Sequence, residues 1–145
     1  MSGEERGSVK HTVVERELQL RLIVSSGRVV PVRARLAYRT ADPYAVHVDF
    51  HVDSACPVHW AFARDLLLEG MGRPCGQGDV RVWPAQAEHH DVVVIELDSP
   101  AGEALLEAPA APVARWLEET LRVVPPGSEG DRLGIDEELA GLLAP

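Results

Sequence analysis

Asp42-Pro43-Tyr44-Ala45-Val46-His47-Val48-Asp49-Phe50-His51, followed by Trp60-Ala61-Phe62-Ala63-Arg64-Asp65-Leu66-Leu67-Leu68-Glu69-Gly70, decides the fold class. After the Asp42-Pro43 turn, Tyr44, Val46, Val48, Phe50 and Val52 alternate with His47, Asp49, His51 and Asp53. A period of two predicts a half-buried strand, with the apolar set inward and the polar set in solvent. Val58, Trp60 and Phe62 repeat that period in a further strand. From Arg64 to Met71 the spacing of Leu67, Leu68 and Met71 turns helical, and Gly70 and Gly72 close a short helix.

Working upstream, Leu18, Leu20, Leu22 and Val24 alternate with Glu17, Gln19, Arg21 and Ile23, and Ser25-Ser26-Gly27 marks a turn. A second strand carries Val30, Val32, Ala34, Leu36 and Tyr38 on one face and Arg33, Arg35 and Arg39 on the other. The inward residues of this strand and the next are all even-numbered. Opposed residues must therefore have numbers summing to an even value. One such register opposes Arg33 to Asp49 and the other opposes Arg35 to Asp49, so basic and acidic stripes adjoin on the solvent face. Each opposite-charge pair would contribute roughly 0.2–1 kcal/mol.

Downstream, Arg73-Pro74-Cys75-Gly76-Gln77-Gly78 reads as a loop. Strands follow over Asp79–Trp83 and Asp91–Leu97, joined by a polar loop containing His89 and His90. Ser99-Pro100 has the character of a helix start, and Glu103-Ala104-Leu105-Leu106-Glu107 predicts helix. A longer helix after Pro112 presents Val113, Trp116, Leu117, Thr120, Leu121 and Val124 on one face, and Pro125-Pro126-Gly127 ends it. A last short helix from Asp136 would align Ile135, Leu139, Leu142 and Leu143. Strands first and helices last predict one antiparallel α+β domain over 11–145, behind a disordered tail over 1–10.

The chain has 145 residues, 46% hydrophobic and 26% charged, enough for a sizeable core. Its net charge of −9 repels phosphate backbones and anionic lipid at long range, and no apolar run is long enough for a membrane helix. The N-terminal residues lack the apolar region of a secretory signal, which points to the cytoplasm. Cys56 and Cys75 belong to no Cys-x-x-Cys pair and read as reduced, incidental thiols.

Chemistry is sparse. The stripe His47, Asp49, His51, Asp53 is the one dense set of possible metal ligands. Zinc wants three or four converging donors in a shielded site. A flat solvent face with arginines opposite supplies neither, so no metal or cofactor is expected. No nucleophile elbow, phosphate loop or dinucleotide fingerprint is present, which leaves no candidate catalytic residue. Trp60 and Trp116 read as core. Trp83 shares a face with Arg81, opposite Val80 and Val82, and just precedes Pro84. Tryptophan and arginine dominate binding hot spots, so Arg81 and Trp83 are the expected partner contacts.

Five runs carry a resemblance: Leu20-Arg21-Leu22-Ile23-Val24-Ser25-Ser26, Thr40-Ala41-Asp42-Pro43-Tyr44-Ala45-Val46-His47, Phe62-Ala63-Arg64-Asp65-Leu66-Leu67, Gly78-Asp79-Val80-Arg81-Val82-Trp83-Pro84, and Ser99 through Pro109. In that order they resemble the SsgA/SsgB-like sporulation and cell-division proteins of filamentous actinobacteria. The Val24-Ser25-Ser26 segment, the Ser99–Leu106 run and Val124-Pro125-Pro126-Gly127 are most similar to the SsgB type. The resemblance implies curved antiparallel β-sheets of Whirly-like form assembled as a homotrimer. It also implies a non-enzymatic cytoplasmic adaptor at division septa, recruiting the tubulin-like GTPase FtsZ alongside an SsgA-like paralogue. The rival expectation is a single-stranded nucleic-acid module using Arg21, Arg33, Arg35 and Arg39. The acidic balance and an aromatic content of only 5% weigh against it.

Overall fold

The computed structural model describes residues 11–130 apart from 25, 26, 52, 53 and 101. Strands β1 (Val13–Ile23), β2 (Val29–Arg39), β3 (Ala45–Phe50) and β4 (Val58–Ala63) form an antiparallel meander. Helix α1 (Arg64–Gly70) follows, then β5 (Cys75–Gln77), β6 (Val80–Ala87), β7 (His90–Ser99), β8 (Gly102–Pro109) and helix α2 (Ala110–Val123). The described strands make one curled eight-stranded antiparallel sheet, ordered β4-β3-β2-β1-β8-β7-β6-β5. The α+β reading and the curved antiparallel sheet therefore stand. The expected tail over 1–10 and the terminal helix after Asp136 lie outside the described residues.

Alternation sets the core. Leu20, Val32, Leu36, Tyr38, Val46, Val48, Val82, Ile95, Leu97 and Leu106 all turn to one face and are buried there. Helix α2 covers that face with Val113, Trp116 and Leu117. β1 and β8 pair only over Arg21–Ile23 and then part. The indole Nε1–H of fully buried Trp116 donates to the Val14 carbonyl at 3.0 Å, beyond that short ladder. α2 thus gives a partner to a strand carbonyl that β8 does not reach, which a buried backbone requires. Gly70 closes α1 against β6: a Cβ there would lie 2.2 Å from Val82 Cγ1.

Three sequence expectations are corrected. Gly102–Pro109 is strand, not helix. Ala, Leu and Glu favour helix intrinsically, but β7 has Val92, Val93, Val94, Ile95 and Leu97 buried in succession. Such a strand needs ladder partners on both sides, and β8 supplies one with Ala104, Leu106 and Ala108 inward. Second, Pro84–His90 is not a loop. β6 and β7 continue to the Ala87–His90 pair, and the tight turn holds Glu88 and His89 at φ 51° and 67°. Two positive φ values match a primed hairpin turn, although its usual Asn-Gly signal is missing. Third, Cys75–Gln77 pairs with β6 as a short edge strand.

Candidate partner-binding surface

Arg81 and Trp83 project from β6 on the face opposite buried Val80 and Val82, as alternation requires. Trp83 is half-buried and Arg81 exposed. Together with residues Pro74 to Gly78 they line a concavity of 700 Å³ at the β5 edge of the sheet. β5 is held there from below, because the Cys75 thiol donates to the Leu66 carbonyl of α1 at 3.3 Å. Burial pushes that thiol's pKa up, with the Glu69 charge adding to the effect, so it stays a protonated donor. Arg81 is only loosely tethered, its Nη1 lying 3.5 Å from Glu96 Oε1 with the arginine side chain 72% exposed. The geometry offers a stacking surface and a cation beside an open strand edge, the features by which extended polypeptide is gripped. The convergent ionisable groups of a catalytic cleft do not line it.

Three of the four arginines of the rival reading, Arg21, Arg33 and Arg35, are paired with carboxylates. Arg33 and Arg35 donate to the two oxygens of Glu17 at 2.9 and 3.2 Å, and these bonds hold its carboxyl below the usual range. Arg21 lies 3.7 Å from Glu88 and 3.6 Å from Glu107. Of the two allowed registers, the observed one opposes Arg35 to Asp49. Arg35, however, faces carboxylates on both neighbouring strands and bonds Glu17, leaving Asp49 to another donor. The expected ion pair across β2 and β3 is replaced accordingly.

That other donor is His59 of β4, whose Nδ1 lies 2.5 Å from Asp49 Oδ1. His47 is a second correction: it leaves the core face as expected, yet is 8% exposed rather than solvated. Its Nε2 lies 3.1 Å from Asp42 Oδ2 and its Nδ1 lies 3.3 Å from His59 Nε2. Tyr44, expected inward, is 50% exposed because β3 begins only at Ala45. Among the described residues no group of three or more His, Cys, Asp or Glu side chains could hold a metal ion.

A second polar assembly is internal. Arg64 is fully buried, with its guanidinium 4.8 Å over the Tyr38 ring. It donates to the Thr120 carbonyl at 3.0 Å and to Glu129 Oε2 at 2.8 Å. Tyr38 donates its hydroxyl hydrogen to the Pro43 carbonyl at 2.8 Å. Burial pushes the Glu129 carboxyl up, but the Arg64 bond and charge, together with backbone N–H groups that include Gly127's, prevail and hold it below its ordinary range. Nothing local in the sequence couples Glu129 to Arg64, 65 residues away.

The class that the geometry defines is a curled antiparallel α+β domain that carries, among the described residues, an aromatic-cationic concavity at one sheet edge. Comparison with known proteins makes this specific. Residues 32–129 match the family described as Streptomyces sporulation and cell division protein, SsgA, and the chain belongs to that family. It is 54% identical over 134 residues to the sporulation-specific cell division protein SsgB of Streptomyces coelicolor, covering 92% of this chain and 98% of that one. The SsgB of Salinispora tropica is 46% identical, with 94% and 96% covered. A solved SsgA-like sporulation-specific cell division protein from Thermobifida fusca superposes with a TM-score of 0.85 at 44% identity, over 94% of this chain and 99% of that one. An SsgB structure from a study of longitudinal cell division during sporulation of Streptomyces coelicolor gives a TM-score of 0.82 at 54% identity, over 86% and 98%. These relatives are named as cell division proteins, not as enzymes.

Proposed function

We propose that this chain is a non-enzymatic adaptor of sporulation-specific division, which recruits or positions FtsZ at future septa through protein contacts. It acts in the cytoplasm with an SsgA-like paralogue, and as a homo-oligomer of trimeric form. The observation that carries this reading is the juxtaposition of Arg81 and Trp83 around the concavity at the open β5 edge. Family membership supports a division role, and the resemblance to the SsgB type supplies FtsZ as the partner. Among the described residues no helix is long and apolar enough to cross a membrane, which fits recruitment by protein contact. Nucleic acid is not an expected partner, given a net charge of −9 and arginines engaged by carboxylates.

Trp83→Ala tests the assignment, since half-burial on the outer face lets it be truncated without opening the core. Loss of a central tryptophan anchor costs about 2 kcal/mol or more in binding. FtsZ capture in a pull-down should then weaken by at least about thirtyfold while circular dichroism stays unchanged. Undiminished capture together with an unchanged oligomer by light scattering would remove Trp83 from the contact surface. Tight, steeply salt-dependent binding to single-stranded DNA would favour the nucleic-acid rival instead.

A further inference from the structure

We infer that His47 and His59 form a two-histidine site for a borderline divalent cation of the zinc type, on the outer face at the β3–β4 edge. The inference stands apart from the partner reading above. Asp49 is directly opposed to His59, and His47, opposite Ala61 two pairs along the same ladder, shares their face, which brings the two imidazoles together. Carboxylates only accept hydrogen bonds, so the contacts of Asp42 with His47 Nε2 and of Asp49 with His59 Nδ1 each commit one ring N–H. The remaining nitrogens, His47 Nδ1 and His59 Nε2, then face one another as lone pairs 3.3 Å apart, with ring centres separated by 5.2 Å.

Two lone pairs at that distance repel unless something positive lies between them. Two nitrogens each about 2.0–2.1 Å from a tetrahedral zinc ion are themselves about 3.3–3.4 Å apart, with ring centres roughly 5.2 Å apart. Both separations match. Each imidazole is also backed by a carboxylate, the outer-shell arrangement that fixes tautomer and ring orientation in histidine metal sites. Charge points the same way: Asp42 and Asp49 bring two negative charges, while Arg35, opposite Asp49, gives its guanidinium to Glu17. A divalent cation neutralises the cluster where a single shared proton leaves it negative. With two protein donors, two coordination positions remain for water or an exchangeable donor from another molecule. His59, its side chain 52% exposed, opens the site to solvent.

The test is calorimetric titration of the metal-stripped full chain with Zn²⁺ alone. One equivalent should bind, and His59→Gln should abolish that event while leaving the far-ultraviolet spectrum intact, because His59 is exposed. Asp49→Asn, which removes the outer carboxylate, should weaken binding by about tenfold or more. A His89→Gln/His90→Gln variant controls for the other histidine pair and should bind as the parent does. No Zn²⁺ binding, binding indifferent to His59→Gln, or binding lost only with the His89/His90 variant would each overturn the assignment.

Discussion

Arg64 with Glu129, and Arg33 and Arg35 with Glu17, are made from the same functional groups in one domain, but they sit in different solvents. Side-chain exposure is 0% and 7% in the first cluster and 39% to 59% in the second. In water the Glu17 cluster exchanges one set of hydrogen bonds for another and is screened by salt. Inside the protein, Arg64 has no such exchange. It is held by a carbonyl of α2, a carboxylate beyond α2 and the face of Tyr38 in β2, so one side chain joins segments distant in the chain. The difference separates an ion pair that organises the fold from one that decorates it. The outer concavity at Arg81 and Trp83 needs that organisation, because α1, which Arg64 begins, also holds β5 in place.

Arg64→Ala should break the comparison most sharply. It leaves Glu129 buried without its cation and opens a void beside Tyr38, a loss of about 3–5 kcal/mol in urea unfolding. Replacing both partners together, as Arg64→Met/Glu129→Leu, should recover much of that loss, because no uncompensated charge remains. Failure of the double variant to improve on the single one would show that the contacts to Thr120 and Tyr38, not the ion pair, carry the stability.

Acid sharpens the contrast. The Glu129 carboxyl has a folded pKa below its unfolded value, so its contribution is fully present above about pH 4.5 and is lost as pH falls through the folded value. The Glu17 carboxyl shifts in the same direction because of its bonds to Arg33 and Arg35. Unfolding midpoints measured from about pH 6 to about pH 3 should fall for the parent, fall less for Glu129→Gln, and remain close to the parent's slope for Glu17→Gln. Equal slopes for the two variants would mean that burial does not distinguish the clusters. The smallest effect belongs to Glu17→Gln at neutral pH, a slight fall in the unfolding midpoint that shrinks further in high salt.

Legibility follows the range of the interaction. The strands over 13–63 are readable because each carries its own alternation, and the even-sum rule for β2 and β3 narrows their register to two choices, one of which occurs. Arg81 and Trp83 could be paired from spacing alone, since residues two apart on a strand share a face. β8 escapes the same reading because Ala104, Leu106 and Ala108 alternate within a run of good helix formers, and the need of β7 for a second neighbour is not visible locally. For β3 and β4 parity places His47, Asp49 and His59 on one face, but only the observed register sets His59 opposite Asp49.

What the chain encodes on its own is which side chains turn inward on each strand, where turns fall, and that an acidic surface suits protein contacts. Local periodicity and net charge need no distant residue to take effect. Which strands become neighbours, that Gly102–Pro109 extends rather than coils, and that Arg64 meets Glu129 while His47 meets His59 were decided only when the sheet and helices packed together. Those choices depend on satisfying buried backbone and charged groups across large sequence separations, and that requirement arises only in the packed molecule.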